Sequence, residues 1–151
     1  MREATPLDVA LLVDLMAEFY AESAYPVDRE RATVAFATLL GDDRLGRAWL
    51  IESAGEVVGY LVVTLGYSME YGGVDGFVDD LFIREGFRGS GLGTLAIAAA
   101  RAFCEERGVR ALHLEVDRGN AVAQQLYRRA GFEGNERQLL TLRLAPPLHV
   151  V

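Results

Sequence analysis

The sequence predicts an α/β (α+β) domain in which a mixed central β-sheet carries helices on both faces. Three observations lead there. The periodic segments follow the order β-α-α-β-β-β-α-β-α-β, a Gly-rich turn separates one strand from a helix, and no linker, repeat or low-complexity tract divides the 151 residues. Length and composition, with 51% hydrophobic and 25% charged residues, suit one globular domain with a substantial core.

Arg2 to Ala4 forms the first short strand. Thr5 is placed to cap a helix with Pro6 at its first position. Leu7, Leu11, Leu12, Leu15, Met16 and Phe19 then recur at helical spacing to about Glu22, and Tyr25-Pro26 ends the run. Asp28 caps a second helix carrying Ala32, Phe36, Leu39 and Leu40, which closes near Gly41. Ala48 to Glu52 and Val57 to Leu65 read as a hairpin about Ser53–Glu56, and Gly66 to Gly76 as a loop. Phe77 to Ile83 is a strand interrupted by Asp79 and Asp80. Gly91 to Arg107 is an Ala-rich helix stopped by Gly108, Ala111 to Val116 a strand, Asn120 to Ala130 a helix stopped by Gly131, and Gln138 to Leu144 a last strand. Strands alternating with helices in this order require a mixed sheet covered on both sides.

Composition narrows the function. A net charge of −7 with no lysine in the chain argues against nucleic-acid binding, which needs a basic surface. It favours a cationic small substrate, while also serving solubility. There is no apolar run long enough to span a membrane and no signal-peptide pattern at Met1–Pro6, so a cytoplasmic location is expected. The lone Cys104 has no Cys or His partner at metal-ligand spacing, so neither a disulfide nor a metal site is expected.

The chief motif is Arg88-Gly89-Ser90-Gly91-Leu92-Gly93, with Thr94 following, between a strand and a helix. Glycines there admit unusual backbone angles and close ligand approach. The opening of a helix presents unpaired N–H groups backed by the helix dipole, a natural phosphate site. Arg88 adds a fixed charge. A P-loop would need Lys and then Ser/Thr after its last Gly; Thr94 follows Gly93 directly and the chain has no lysine. A dinucleotide fingerprint fits only from Gly91 and Gly93 to Ala96, and Arg84 to Ser90 separates it from its strand. A flexible strand-to-helix connection is the bland alternative.

Arg88-x-x-Gly91-x-Gly93 after an apolar strand resembles the pyrophosphate motif of the GNAT superfamily of N-acetyltransferases. Asn120-Ala-Val-Ala-Gln-Gln-Leu-Tyr127-Arg-Arg-Ala-Gly131-Phe132 resembles that family's second motif, and the element order matches its fold from about Arg2 to Leu144. Gly59-Tyr60 and Asp79 to Ile83 look closest to the diamine and thialysine acetyltransferase branch. The resemblance implies a single N-acetyltransferase domain over 1–151, with acetyl-CoA as cosubstrate and no metal. It implies that Leu81, Phe82 and Ile83 offer backbone groups to the pantetheine arm and that Arg88 to Thr94 hold the pyrophosphate. Asn120 would contact the arm, and Tyr127 would sit at the thioester sulfur as general acid. Capping of its helix by Asn120 is compatible with that contact, and packing in the core is the structural alternative for Tyr127.

A free amine must attack, so a proton acceptor is needed. Asp79 and Asp80 are candidates because carboxylates are costly within an apolar strand. Alternation would send them to opposite faces, and Asp79 aligns with a substrate-facing Glu of the polyamine branch. Ion pairing with arginines or a bulge is the structural alternative for both. Glu115 is another possible base, and His113 a weaker one. The resemblance places Glu18, Phe19, Tyr20 and Glu22, together with Tyr67, Glu70 and Tyr71, around the mouth for an alkylammonium acceptor; a homodimer contact would suit the same residues. Acetylation of a protein N-terminus or lysine, and noncatalytic acyl-CoA sensing, are the competing functions.

Overall fold

The computed structural model describes residues 1–144. Five strands lie side by side in sequence order: β1 (Arg2–Glu3), β2 (Gly46–Ser53), β3 (Glu56–Ser68), β4 (Gly73–Ile83) and β5 (Leu112–Leu114). β1 to β4 are antiparallel neighbours, and β5 joins β4 in parallel through Gly76–Val78. Helices α1 (Val9–Glu22), α2 (Arg29–Gly41), α3 (Leu92–Glu106) and α4 (Ala121–Arg129) complete the fold. The α/β order foreseen from the sequence holds as far as α4. The expected loop from Gly66 to Gly76 is largely strand, with β3 and β4 running up to a turn at residues 69–72.

Side-chain alternation on the sheet feeds two cores. Ala48 and Leu50 of β2 pack with Tyr60 and Val62 of β3 against Leu12, Leu15 and Phe36 of α1 and α2. Trp49, Ile51, Leu61 and Val63 pack on the other face against Ile97, Ala100 and Phe103 of α3. Cys104 is buried in this second core, as its apolar helix face requires, and burial pushes its thiol pKa up. Asp28 caps α2 through Arg31 N at 3.0 Å. Thr5 and Asp8 instead close a 3-10 turn, with Thr5 N donating to Asp8 Oδ2 at 2.8 Å before α1 begins at Val9.

The expected last strand does not form. Residues 138–144 join no sheet, and Leu139, Leu140, Leu142 and Leu144 are 73–88% exposed. Their pattern suits a strand, but a strand needs an edge to pair with, and Arg137 is clasped by Glu70 of the β3–β4 turn at 2.7 Å. Among the described residues, β5 therefore keeps an open outer edge.

Candidate active site

The geometry begins with a bulge. Val62 of β3 pairs with Asp80 and Val63 with Val78, leaving Asp79 as the extra residue. Val78 thus faces the α3 core while Asp80 and Phe82 face α1. The β4–β5 pairing ends at Val78 and Leu114. From Asp79 to Ile83, β4 remains bonded to β3 on one side and has no strand partner on the other among the described residues. Leu81, Phe82 and Ile83 lie in this splayed stretch, where backbone groups on the free edge are available to a ligand.

Just beyond, Gly89 and Gly91 adopt left-handed φ values of 74° and 85°. Gly91 is the N-cap of α3, and Leu95 N makes the first helical bond, to Gly91 O at 3.0 Å. The amides of Leu92, Gly93 and Thr94 precede that bond and have no intrahelical acceptor. A Cβ on Gly91 would meet nothing within 4 Å, so the space above the turn is open. A Cβ on Gly93 would lie 2.9 Å from Leu126 Cδ2 and 3.8 Å from Ile83 Cδ1. Gly93 is therefore where α3, α4 and the end of β4 close together. Ser90 Oγ fastens the turn to Phe87 O at 2.6 Å. An anion of pyrophosphate type fits this set of free amides, open space and helix dipole.

Arg88 is already engaged. Its Nη2 holds Glu22 at 2.7 and 2.9 Å, and its Nε donates to Ile83 O at 2.7 Å. Arg84, four residues earlier, pairs with Glu18, four residues before Glu22, through two 2.8 Å bonds. Sequence reasoning missed this double clasp between α1 and the glycine turn, although the matched spacing of opposite charges was there to be read. Glu22, expected among the acceptor contacts, is paired with Arg88.

Tyr127 is half-buried, edge-on to Phe132 at 5.9 Å, and burial raises its pKa. It lines a cleft of about 1620 Å³ with Tyr71, His113 and Glu115. The glycine turn does not line that cleft, but Gly93 packs against Leu126, the residue before Tyr127. Asn120 caps α4, its Oδ1 accepting from Ala123 N at 3.0 Å.

The two carboxylates separate as alternation implied. Asp79 is exposed and lines a small pocket with Phe77, Glu115 and Leu139; surrounding protein atoms still raise its pKa by desolvation. Asp80, expected among the acceptor contacts, is buried under α1. It accepts from Tyr60 Oη at 2.9 Å and Tyr20 Oη at 3.5 Å. Burial lifts its pKa to about 6, against the opposing pull of the tyrosine bonds. Phe19 likewise belongs to packing, stacked on Phe82 at 5.4 Å. The residues expected around the acceptor mouth from α1 and the β3–β4 loop lie towards opposite ends of β4. Tyr71 lies by His113 before β4 begins, at 5.4 Å between rings, whereas Glu22 sits by Arg88 past its end.

Residues 10–132 match the model of the acetyltransferase (GNAT) family. The chain belongs to that family. It is a GNAT-type acetyltransferase, a class that takes its acyl group from acetyl-CoA. An aminoglycoside N(6')-acetyltransferase type 1 from Stenotrophomonas maltophilia is 28% identical over 91% of this chain and 88% of its own length. A streptothricin acetyltransferase from Streptomyces lavendulae is 42% identical over 36% of the chain and 29% of its own. Among solved structures, an integron cassette protein from the mobile metagenome of Cole Harbour Salt Marsh superposes with a TM-score of 0.87. It is 49% identical, over 97% of this chain and 91% of that one. The named relatives are aminoglycoside and streptothricin acetyltransferases, so the finer likeness to the diamine branch gains no support from them.

Proposed function

We propose that the protein transfers an acetyl group from acetyl-CoA to a primary amine of a small polycationic molecule of aminoglycoside or streptothricin type. The observation that carries the reading is the glycine turn, with its free amides, packed through Gly93 onto the helix that carries Tyr127. The amides of Leu92, Gly93 and Thr94 would hold the pyrophosphate. The free edge of Leu81 to Ile83 would bind the arm, with Asn120 nearby. Acetyl-CoA supplies the acyl group as an activated thioester. Asp79, and Glu115 across the same small pocket, attract the ammonium and accept its proton directly or through water. Tyr127, kept protonated by its raised pKa, supplies a proton to the departing sulfur as the C–N bond forms and the C–S bond breaks.

Two measurements test this. Gly91→Val combines a β-branched side chain with φ of 85° in the space left for the anion. It should weaken acetyl-CoA binding by about 100-fold in calorimetry, on the scale of several lost charge-assisted bonds. Unchanged affinity in a folded variant sinks the phosphate assignment. A screen of aminoglycosides, streptothricins, diamines and amino acids should favour the polycationic antibiotics. Asp79→Asn should raise KM for the amine, leave that for acetyl-CoA, and flatten the salt dependence of kcat/KM. A neutral or anionic preferred acceptor overturns the assignment.

A further inference from the structure

Two ion pairs join α1 to the end of β4 and the glycine turn, and they differ in how firmly they hold. Glu18 and Glu22 are neighbours on one face of α1. Arg84 and Arg88 flank the short 3-10 turn Glu85–Phe87. Arg84 is fully used. Its Nε and Nη2 grip the two oxygens of Glu18 at 2.8 Å each, and its Nη1 donates to Val57 O at 2.9 Å. Arg88 is less committed. Its Nη2 alone serves both oxygens of Glu22, its Nε donates to Ile83 O, and its Nη1 has no partner among the described residues. The Arg88 side chain is 45% exposed, against 31% for Arg84. Two parallel bonds make the strong form of such a pair, and Arg88 lacks that form and keeps a donor for another anion. Past Glu22 the helix stops. Ser23 N and Tyr25 N both bond back to Tyr20 O, and Ala24 takes a φ of 55°, an uncommon angle for a residue with a Cβ. Glu22 therefore stands on the last turn of α1, where it can swing away while Glu18 stays in place.

We propose, resting on the phosphate assignment above, that Glu22 is an internal competitor of the cofactor's pyrophosphate. Its carboxylate occupies Arg88 in the free protein and yields it when the anion settles on the glycine turn. Competition of this kind lowers the apparent affinity by the fraction of molecules in which Arg88 is free. Glu22 thus sets cofactor affinity without touching the cofactor, as a positioning residue that acts through Arg88. The Glu18–Arg84 pair keeps α1 on the strand throughout, so the exchange is confined to the helix end.

Calorimetry of the full chain with CoA and, separately, with inorganic pyrophosphate tests this. Glu22→Gln should tighten both ligands by about 5-fold, the scale of one exposed ion pair. It should also steepen the fall of affinity with salt, because Arg88 then enters binding as an unneutralised charge. A residue that merely held the turn in place would weaken binding when removed. Glu85→Gln removes a charge on the 3-10 turn between the two arginines, and should change CoA affinity by less than about 2-fold, since exposed charges act weakly through water. In an Arg88→Gln background, Glu22→Gln should have no effect. A crystal structure with CoA should show Glu22 beyond ion-pair reach of Arg88 and the Glu18–Arg84 pair intact. Unchanged or weaker binding in Glu22→Gln overturns the proposal. So does an equal gain from Glu85→Gln, or a gain that persists without Arg88, either of which would be a general charge effect, and so does a CoA complex that keeps the Glu22–Arg88 pair. Failure of the phosphate assignment looks different: a parent chain that binds neither ligand, or binds both equally well after Gly91→Val, overturns the two readings together.

Discussion

Asp79 and Asp80 are consecutive residues of one strand, yet one stands at an open sheet edge and the other lies beneath two tyrosines. The bulge between Val62 and Val63 makes the difference by leaving Asp79 without a partner on β3. The free edge of β4 then has the amides, the small pocket and the route to the glycine turn, while the α1 face has the packing. The lesson is a division of labour across one strand: groups along the cleft and the free edge should govern rate, and groups under α1 should govern stability. That division can be broken by experiment.

The largest expected effect is on the cleft side. Tyr127→Phe should lower kcat by about 10- to 10³-fold, the range of general-acid contributions, with acetyl-CoA affinity nearly intact. Its melting temperature should stay close to that of the parent, because the half-buried ring remains against Phe132. Parental turnover in this variant would return Tyr127 to a packing role.

On the packed side, Asp80 should control stability through pH. Its folded pKa of about 6 lies above the ordinary 3.8, so the folded protein keeps a proton that the unfolded chain has already released. Stability therefore falls as pH rises from about 4 to about 6, by roughly 2–3 kcal/mol in all, and the loss is complete above that window. Asp8 runs the other way. The Arg2 guanidinium holds its carboxyl well below the usual range, so its contribution is present at neutral pH and lost only in acid. Asp80→Asn should remove the fall between pH 4 and 6 in denaturant titrations and leave the amine KM alone. An unchanged pH slope, or a large rise in that KM, would erase the contrast with Asp79.

These fates were only partly visible in the sequence. α3, expected at Gly91–Arg107, spans Leu92–Glu106, and the Asn120 cap formed as its side chain suggests, because caps and glycine stops act over a few residues. The glycine turn was legible for the same local reason. The bulge was offered only as one alternative, since a two-against-one register depends on which β3 residues stand opposite. The engagement of Glu22 by Arg88 needed the packing of α1 on β4, which a helix pattern does not contain. Residues 138–144 have a sound strand pattern, but pairing is a property of two segments, and the open edge of β5 does not take up this run.

The smallest effects separate the two tyrosines over Asp80. Tyr60 Oη donates at 2.9 Å from a fully buried ring, while Tyr20 Oη stands at 3.5 Å from the other carboxylate oxygen. A bond at the longer distance is weak. Tyr60→Phe should therefore cost about 1–2 kcal/mol at pH 7, where the carboxylate is ionised and loses its nearer donor, and Tyr20→Phe less than about 0.5 kcal/mol. Both bonds favour the ionised form, so either loss should move the Asp80 titration upward, and the Tyr60 variant should move it further. The carbonyl resonance of Asp80 followed by NMR across pH 4 to 9 would read both shifts directly. Equal shifts would mean that Tyr20 approaches Asp80 in solution as closely as Tyr60 does. A downward shift in either variant would show that the hydroxyl stabilises the protonated acid, and would reverse the sign of the hydrogen-bond contribution assigned here.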